Sequence, residues 1–135
     1  MRQTILLVDD DDDDAFIFRE VLDKVFSDVD FLHAQNGLEG LRVIKKLPPW
    51  SSKLIFLDWN MPLMGGKEFL LIRQEEEKLR PIPTFVLTTT KDAETKDTAL
   101  AAGATDFFTK PSDLNDLENI LKGVMVRYFD KMPSF

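Results

Sequence analysis

Short apolar runs alternate along the chain with longer segments in which apolar residues recur at helical spacing. This alternation is typical of a parallel sheet whose strands are joined by helices. The predicted strands are, in chain order, 5–8, 30–35, 54–57, 84–87 and 106–109. A helix is predicted after each strand, so the sequence indicates an α/β fold of five strands and five helices with right-handed crossovers.

The apolar positions within the helical segments predict which face of each helix is buried. These inner faces carry Phe18, Val21, Leu22, Val25 and Phe26; then Leu38, Leu41, Ile44 and Leu47; then Phe69, Leu70 and Ile72; and last Leu114, Leu117, Ile120, Leu121 and Val124. Asp92 is expected to be the N-cap of the fourth helix, and Gly103 is expected to end that helix. Ser112 is expected to be the N-cap of the last helix.

The composition limits the class of protein. The 135 residues, 44% of them hydrophobic, fit one domain over residues 1–135, with 127–135 as a possible C-terminal tail. The net charge of −7 argues against a nucleic-acid partner, because such binding needs a basic surface. The absence of cysteine excludes disulfides and thiolate sites, and the single histidine, His33, is expected to be structural.

The apolar runs are too short for a membrane span. Runs such as 5–8 and 54–57 end after four residues, far below the length of a spanning helix. Asp9 interrupts the N-terminal run too early for a secretory signal. We therefore expect a cytoplasmic protein with no membrane partner.

Polar residues stand directly after four of the five predicted strands. These are Asp9 and Asp10, then Asp58, then Thr88, and then Lys110. The carboxyl ends of parallel strands form one edge of the sheet, where ligands bind. Taken singly, Asp58 could be a helix N-cap and Lys110 a surface lysine, and the run 9–14 could be a solvated patch.

Together these side chains indicate a phosphoryl site. Three carboxylates in one cleft repel each other unless a cation or a proton intervenes, and an oxygen-only set suits Mg²⁺. Lys110 and the hydroxyl of Thr88 would bind additional negative charge. Asp58, which ends the most hydrophobic strand, is the natural nucleophile.

Four motifs resemble the receiver domain of two-component response regulators, and the resemblance covers essentially the whole chain. They are ILLVDDD, LIFLDWNMPLMGG, FVLTTT and AGATDFFTKP. The stretch DWNMP closely resembles that of the chemotaxis response regulator. The resemblance implies a flavodoxin-like, doubly wound, five-stranded parallel sheet with strand order 2-1-3-4-5.

The resemblance also implies a phosphorelay function. Asp58 would accept a phosphoryl group from the phosphohistidine of a sensor histidine kinase or a histidine phosphotransfer protein. Asp9, Asp10, Asp58 and the backbone carbonyl of Asn60 would bind Mg²⁺ or Mn²⁺, with Asp9 acting through water. The protein would then be a signalling switch, not a turnover enzyme on an external substrate.

Further roles follow from the same resemblance. Lys110 would contact the phosphoryl oxygen, Thr88 and Phe107 would form the switch pair, and Asn60 and Thr90 would tune the lifetime of the phosphoryl group. In the acidic run, Asp11 would lie at the rim of the site, and residues 12–14 would begin the first helix, where carboxylates complement the helix dipole.

Some features depart from the family or are only common in it. Met64-Gly65-Gly66 lacks the acid that often precedes the glycine, which is expected to loosen the loop beside Asp58. Thr89 is bulkier than the usual alanine or glycine and is expected to narrow access to Asp58. The bond between Lys110 and Pro111 is expected to be cis.

Three other functions share some of these features. A phosphatase of the haloacid dehalogenase type has its aspartate nucleophile near the start of the chain and a cap domain, which this sequence does not offer. A flavodoxin would need a phosphate-cradling loop where the acidic run 9–14 stands. A receiver-like interaction module that never binds phosphate stays open.

No effector domain is expected after the last helix, so output would occur by binding. The expected surface comprises the helix at 92–102, the fifth strand and the last helix. The apolar residues of 124–129 and 131–135 suggest a possible homodimer or partner contact.

Overall fold

The chain forms a five-stranded parallel sheet covered by five helices. A computed structural model describes residues 3–129. Its elements are β1 (Gln3–Val8), α1 (Asp12–Val25), β2 (Val29–Ala34), α2 (Gly37–Lys46), β3 (Lys53–Leu57), α3 (Gly66–Glu75), β4 (Thr84–Thr88), α4 (Ala93–Ala101), β5 (Asp106–Thr109) and α5 (Leu114–Phe129). The strand order is β2-β1-β3-β4-β5, which confirms the predicted fold class and order.

β1, β2 and β3 end level with one another, and β4 and β5 run two residues further, since the last residue of β3, Leu57, pairs with Val86. Val8 pairs with Ala34 on one side and Leu57 on the other, and Thr88 pairs with Thr109. The residues that follow β1, β3, β4 and β5 therefore meet at one edge. Parallel strands in this register position the functional site before any side chain is considered.

Each face of the sheet has its own apolar core. Alternate residues of a strand point to opposite faces, so Ile5 and Leu7 pack with α1 and α5, whereas Leu6 and Val8 pack with the helices on the other face. Phenylalanine side chains line the first core, and the rings of Phe18 and Phe56 lie 5.2 Å apart. The sheet is thus buried on both faces, as parallel sheets require.

Two predicted inner-face residues are exposed. Leu38 is 48% exposed because α2 packs on the sheet through Gly37, Gly40, Leu41 and Ile44 instead. A Cβ at Gly40 would lie 2.9 Å from Val8 Cγ2, so the glycine permits this close approach. Leu114 is 59% exposed because it is the first residue of α5, ahead of the turn that packs.

The helix ends follow the predictions with one exception. Asp92 caps α4, and Gly103 follows its C-terminus with φ +107°. The prediction that Ser112 is the N-cap of α5 was wrong, because Asp113 Oδ1 accepts the hydrogen bond from Asn115 N at 2.7 Å. A carboxylate one residue closer to the helix thus takes the capping position.

Within residues 124–129, the last helix buries most of the apolar residues that suggested a homodimer, with Val126 exposed. Val124, Met125 and Phe129 lie in the core, and the ring of Tyr128 packs 5.0 Å from that of Phe85. Helical spacing brings these groups inward. The rest of the predicted tail, from residue 130, lies outside the described residues. Within 3–129 we find no helix with the length and hydropathy needed to cross a membrane.

Candidate active site

Three carboxylates meet at the edge of the sheet where β1 and β3 end. Asp9, Asp10 and Asp58 each place an oxygen within 4.8 Å of the others. Asp9 is 1% exposed and Asp58 9%, whereas Asp10 is open to solvent. This set contains oxygen donors only, of the kind that hard cations such as Mg²⁺ and Mn²⁺ prefer. The residues present therefore fit the predicted cation site.

Asp58 is oriented by the backbone on one side and faces a lysine on the other. Its N–H donates to the Val8 carbonyl at 2.8 Å, and its Oδ1 accepts a hydrogen bond from Trp59 N at 2.8 Å. Its Oδ2 lies 3.5 Å from Lys110 Nζ. Asp58 does not cap a helix, since α3 is preceded by Gly65. The alternative interpretation of Asp58 as a helix N-cap is thus excluded.

Lys110 lies near Asp58 and also forms hydrogen bonds with two other carboxylates. Its Nζ donates to Asp9 Oδ2 and to Asp14 Oδ2, both at 2.8 Å. The contact with Asp14 was not predicted, because Asp14 was assigned only to the start of a helix. The signal was present in the sequence, since Asp14 precedes the buried Phe18 by one helical turn and therefore shares its face.

The electrostatics of the site reflect this burial. Burial raises the pKa of the Asp9 carboxyl above its ordinary value, and this effect outweighs the hydrogen bond from Lys110. Burial alone would lower the pKa of Lys110. The hydrogen bonds to Asp14 and Asp9 and the charges of Asp9 and Asp58 outweigh it, and they raise that pKa above its ordinary value.

The acidic run 9–14 divides between the site and the first helix. Asp11 is the N-cap of α1, and its side chain accepts hydrogen bonds from Asp13 N and Asp14 N. Its own N–H donates to Asp9 Oδ1 at 2.9 Å. The run is therefore neither a plain solvated patch nor a single cation cluster.

The remaining predicted residues lie around this centre. Thr88 is buried at the end of β4, and its carbonyl accepts a hydrogen bond from Lys110 N at 2.7 Å. Phe107 is half-buried in β5, Thr90 is half-buried, and Asn60 is exposed. Across residues 3–129 no hydrogen bond joins the side chains of Thr88, Thr90 or Asn60 to Asp58. Their switch and lifetime roles stay predictions.

Backbone contacts connect the loop after Asp58 to the helices on either side of it. Gly66 N donates to the Trp59 carbonyl at 2.9 Å, and Gly37 N donates to the Met64 carbonyl at 3.0 Å. A Cβ at Gly66 would lie 2.7 Å from the Asp58 carbonyl oxygen. Close backbone packing thus joins this loop to α2 and α3, and its expected loosening stays a prediction.

The peptide bond between Lys110 and Pro111 is trans, so the expected cis bond was wrong. No peptide bond in the described part of the chain is cis. The trans form is the intrinsically favoured one even before proline.

His33 supports the site from the neighbouring strand. Its Nε2 lies 2.8 Å from the carbonyl oxygen of Asp9. A carbonyl oxygen only accepts hydrogen bonds, so Nε2 carries the proton in this contact. The structural role predicted for this residue is confirmed, and its contact with the Asp9 backbone is the part that the sequence did not indicate.

Known proteins resemble this chain over most of its length. The family model for the response regulator receiver domain matches residues 5–122. The chemotaxis protein CheY homolog of Campylobacter jejuni is 31% identical over 121 residues, covering 90% of this chain and 91% of that protein. A protein-glutamate methylesterase/protein-glutamine glutaminase of Trichodesmium erythraeum is 28% identical, covering 97% of this chain and 36% of that protein.

A solved structure shows the same architecture. The Mn(2+)-bound form of response regulator Rcp1 superposes with a TM-score of 0.79 at 26% identity, covering 98% of this chain and 99% of that one. Its fold agrees with the strand order described above. With the family model matching residues 5–122, the chain belongs to the response regulator receiver domain family.

Proposed function

We propose that this chain is a single-domain response regulator of a two-component phosphorelay, with Asp58 as phosphoacceptor. Receiver domains act as phosphorylation-dependent switches, and those of this kind are phosphorylated by histidine kinases. The partner that supplies the phosphoryl group is then a sensor histidine kinase or a histidine phosphotransfer protein. A cytoplasmic location and a role as a switch, not as a turnover enzyme, belong to the same proposal.

One observation carries the proposal. Asp58 Oδ2 lies 3.5 Å from the ammonium of Lys110, and carboxylate oxygens of Asp9 and Asp10 lie within 4.8 Å of Asp58. A carboxylate, an acidic cluster that fits a divalent cation and a fixed positive charge thus share one cleft. A phosphoryl group needs these three elements, because its transfer depends mainly on positioning and on charge neutralisation.

The proposed reaction moves the phosphoryl group from nitrogen to oxygen. A carboxylate oxygen of Asp58 attacks the phosphorus of the phosphohistidine, so an O–P bond forms and the P–N bond breaks. The electron pair of that bond goes to the nitrogen that held the phosphoryl group. The other ring nitrogen of the phosphohistidine already carries a proton, so the imidazole leaves in neutral form. Lys110 would balance charge on a phosphoryl oxygen, and the hydroxyl of Thr88 would donate a hydrogen bond to it.

Asp9, Asp10, Asp58 and the backbone carbonyl of Asn60 would hold the divalent cation. A bound Mg²⁺ or Mn²⁺ supplies charge neutralisation for the phosphoryl oxygens. The solved Mn(2+)-bound form of Rcp1, a similar protein, supports this choice of cation.

Phosphorylation would act by shifting the balance between two arrangements of the domain. Thr88 and Phe107 would form the moving pair, and Asn60 and Thr90 would set the lifetime of the acyl phosphate. The output surface would comprise α4, β5 and α5, which would bind a protein target or a second copy of the chain.

Intact mass after incubation with acetyl phosphate tests this function. We expect one added phosphoryl group that requires Mg²⁺ and is absent in Asp58→Asn. Asp13→Asn is the matched control, because Asp13 is an exposed acid of the same run and should leave the adduct unchanged. If the wild-type protein gains no adduct and binds neither Mg²⁺ nor beryllofluoride, it is a phosphate-independent module and the proposal is wrong.

A further inference from the structure

The ammonium of Lys110 is surrounded by carboxylates from three segments of the chain. Asp9 follows β1, Asp14 belongs to the first turn of α1, and Asp58 follows β3. An ammonium has three N–H donors. Two of them are directed at Asp9 Oδ2 and Asp14 Oδ2 at 2.8 Å, and the third donor is left for the side of Asp58, 3.5 Å away.

Two of these three carboxylates also belong to the cation cluster. Asp9 and Asp58 contribute oxygens to it together with Asp10, whereas Asp14 does not. A cation bound in the cluster would therefore compete with Lys110 for the negative charges of Asp9 and Asp58. Among the described residues, Asp14 is the only carboxylate partner of Lys110 outside that cluster.

Asp14 is itself firmly placed. Its backbone N–H donates to Asp11 Oδ1 at 3.1 Å, so the N-cap of α1 fixes its position. Its side chain is 40% exposed, whereas that of Lys110 is 14% exposed. The contact thus joins an anchored carboxylate at the rim to a cation that is largely buried.

We propose that Asp14 is a positioning residue that holds the ammonium of Lys110 beside Asp58 while Asp9 and Asp58 serve the divalent cation. This inference rests on the proposed function and adds a residue to it. Asp14 touches neither the phosphoryl group nor the cation, and it acts through Lys110 alone. The negative charge of Asp14 also repels an incoming anion. This repulsion weakens anion binding, whereas the positioning of Lys110 strengthens it, so an experiment must separate the two effects.

The pair Asp14→Asn and Asp14→Ala separates the two effects. Both variants remove the negative charge, but only asparagine keeps an oxygen that can accept a hydrogen bond from Lys110. The probe is beryllofluoride with Mg²⁺, an analogue of the phosphoryl group, and bound fluoride is quantified by fluorine NMR. We expect Asp14→Ala to bind beryllofluoride about three- to tenfold more weakly than Asp14→Asn, as for the loss of one ordinary intramolecular hydrogen bond.

A double-mutant cycle distinguishes positioning from a structural role of Asp14 in α1. In a Lys110→Ala background the difference between the asparagine and alanine variants should disappear, since no ammonium is left to hold. Asp13→Asn and Asp13→Ala provide the matched controls, because Asp13 lies in the same turn and is exposed. These two should bind equally.

The outcomes are distinct. If the wild-type protein binds beryllofluoride and the two Asp14 variants bind equally, or if their difference persists without Lys110, the inference is overturned and the proposed function stands. If the wild-type protein shows no Mg²⁺-dependent binding that requires Asp58, the proposed function fails and the inference fails with it.

Discussion

The guanidinium of Arg73 donates two hydrogen bonds to the carbonyl oxygen of Ile82, from Nε at 3.1 Å and from Nη2 at 2.6 Å. Its other donors reach the carbonyls of Arg80 and Gly103 and the side chain of Gln74. Arg73 is only 4% exposed and none of these acceptors is charged. It therefore ties the segment before β4 to the turn before β5 through hydrogen bonds alone.

Replacing this arginine with lysine should destabilise the fold. A lysine in Arg73→Lys cannot reach carbonyls in several directions, so buried acceptors lose their partners. We expect the free energy of unfolding to fall by about 2–3 kcal/mol, measured by urea denaturation. Arg80→Lys is the control, since Arg80 is exposed, and a change within about 0.5 kcal/mol is expected there. Equal effects of the two substitutions would contradict this account of Arg73.

Leu63 is a strained and exposed residue in the loop after the phosphoacceptor. Its φ is +66°, a region that disfavours leucine, and its side chain is 81% exposed. Asparagine tolerates this conformation, so Leu63→Asn should raise the free energy of unfolding by about 1 kcal/mol. Leu63→Ala keeps the strain and removes the side chain, and it should bring no gain. A stability series in urea that ranks alanine at or above asparagine would refute the prediction.

The pH dependence of stability should reveal the buried carboxyl of Asp9. Because burial raises its pKa above the ordinary 3.8, the folded protein binds this proton more tightly than the unfolded chain does. The stability that the protonated carboxyl provides is present below pH 3.8 and is lost as the pH rises through the folded pKa. The asparagine in Asp9→Asn has no acidic proton to release, so the variant keeps this stability as the pH rises. We therefore expect the variant to be more stable than the wild type at neutral pH, with the difference shrinking in acid.

Urea denaturation across this pH range, with divalent cations chelated, measures the effect. Asp13→Asn serves as the control, since Asp13 is exposed and should show no comparable gain at neutral pH. An Asp9→Asn protein less stable than the wild type at neutral pH would mean that the ion pair with Lys110 outweighs the cost of burial.

Cation binding should depend on Asp10 more than on its acidic neighbours. Asp10 belongs to the three-carboxylate cluster, whereas Asp12 accepts a hydrogen bond from Gln35 Nε2 at 2.8 Å, away from it. We expect Asp10→Asn to weaken Mg²⁺ binding about tenfold or more, and Asp12→Asn to leave it nearly unchanged. Calorimetric titration measures both affinities. Equal losses would indicate that Mg²⁺ responds to the overall charge of the run.

The fold was predictable because its signals are local. Apolar runs of strand length and helical spacing between them identified the elements, and the rule about strand ends brought Asp9, Asp58 and Lys110 together. The prediction that Leu38 is buried was wrong because the neighbouring Gly37 and Gly40 let α2 approach the sheet closely. A pattern of hydrophobic residues does not indicate such an approach.

The unpredicted parts of the site are contacts between distant segments. Asp14 and Lys110 are separated by 96 residues, and His33 reaches the Asp9 carbonyl from an adjacent strand. Such contacts depend on rotamers and on the spacing of packed elements. The same is true of Arg73, which looks in the sequence like an ordinary polar residue of a surface helix.

Asp9 and Lys110, which meet at 2.8 Å, are separated by 101 residues. Asp9 and the proposed phosphoacceptor Asp58 are thus both synthesised before Lys110, and a nascent chain ending within β4 has the proposed nucleophile without the ammonium that faces it. Under the proposed function, competence for phosphoryl transfer is in this sense a late event in the synthesis of each molecule. The proposed site is therefore complete only once β5 and the residue that follows it have been made.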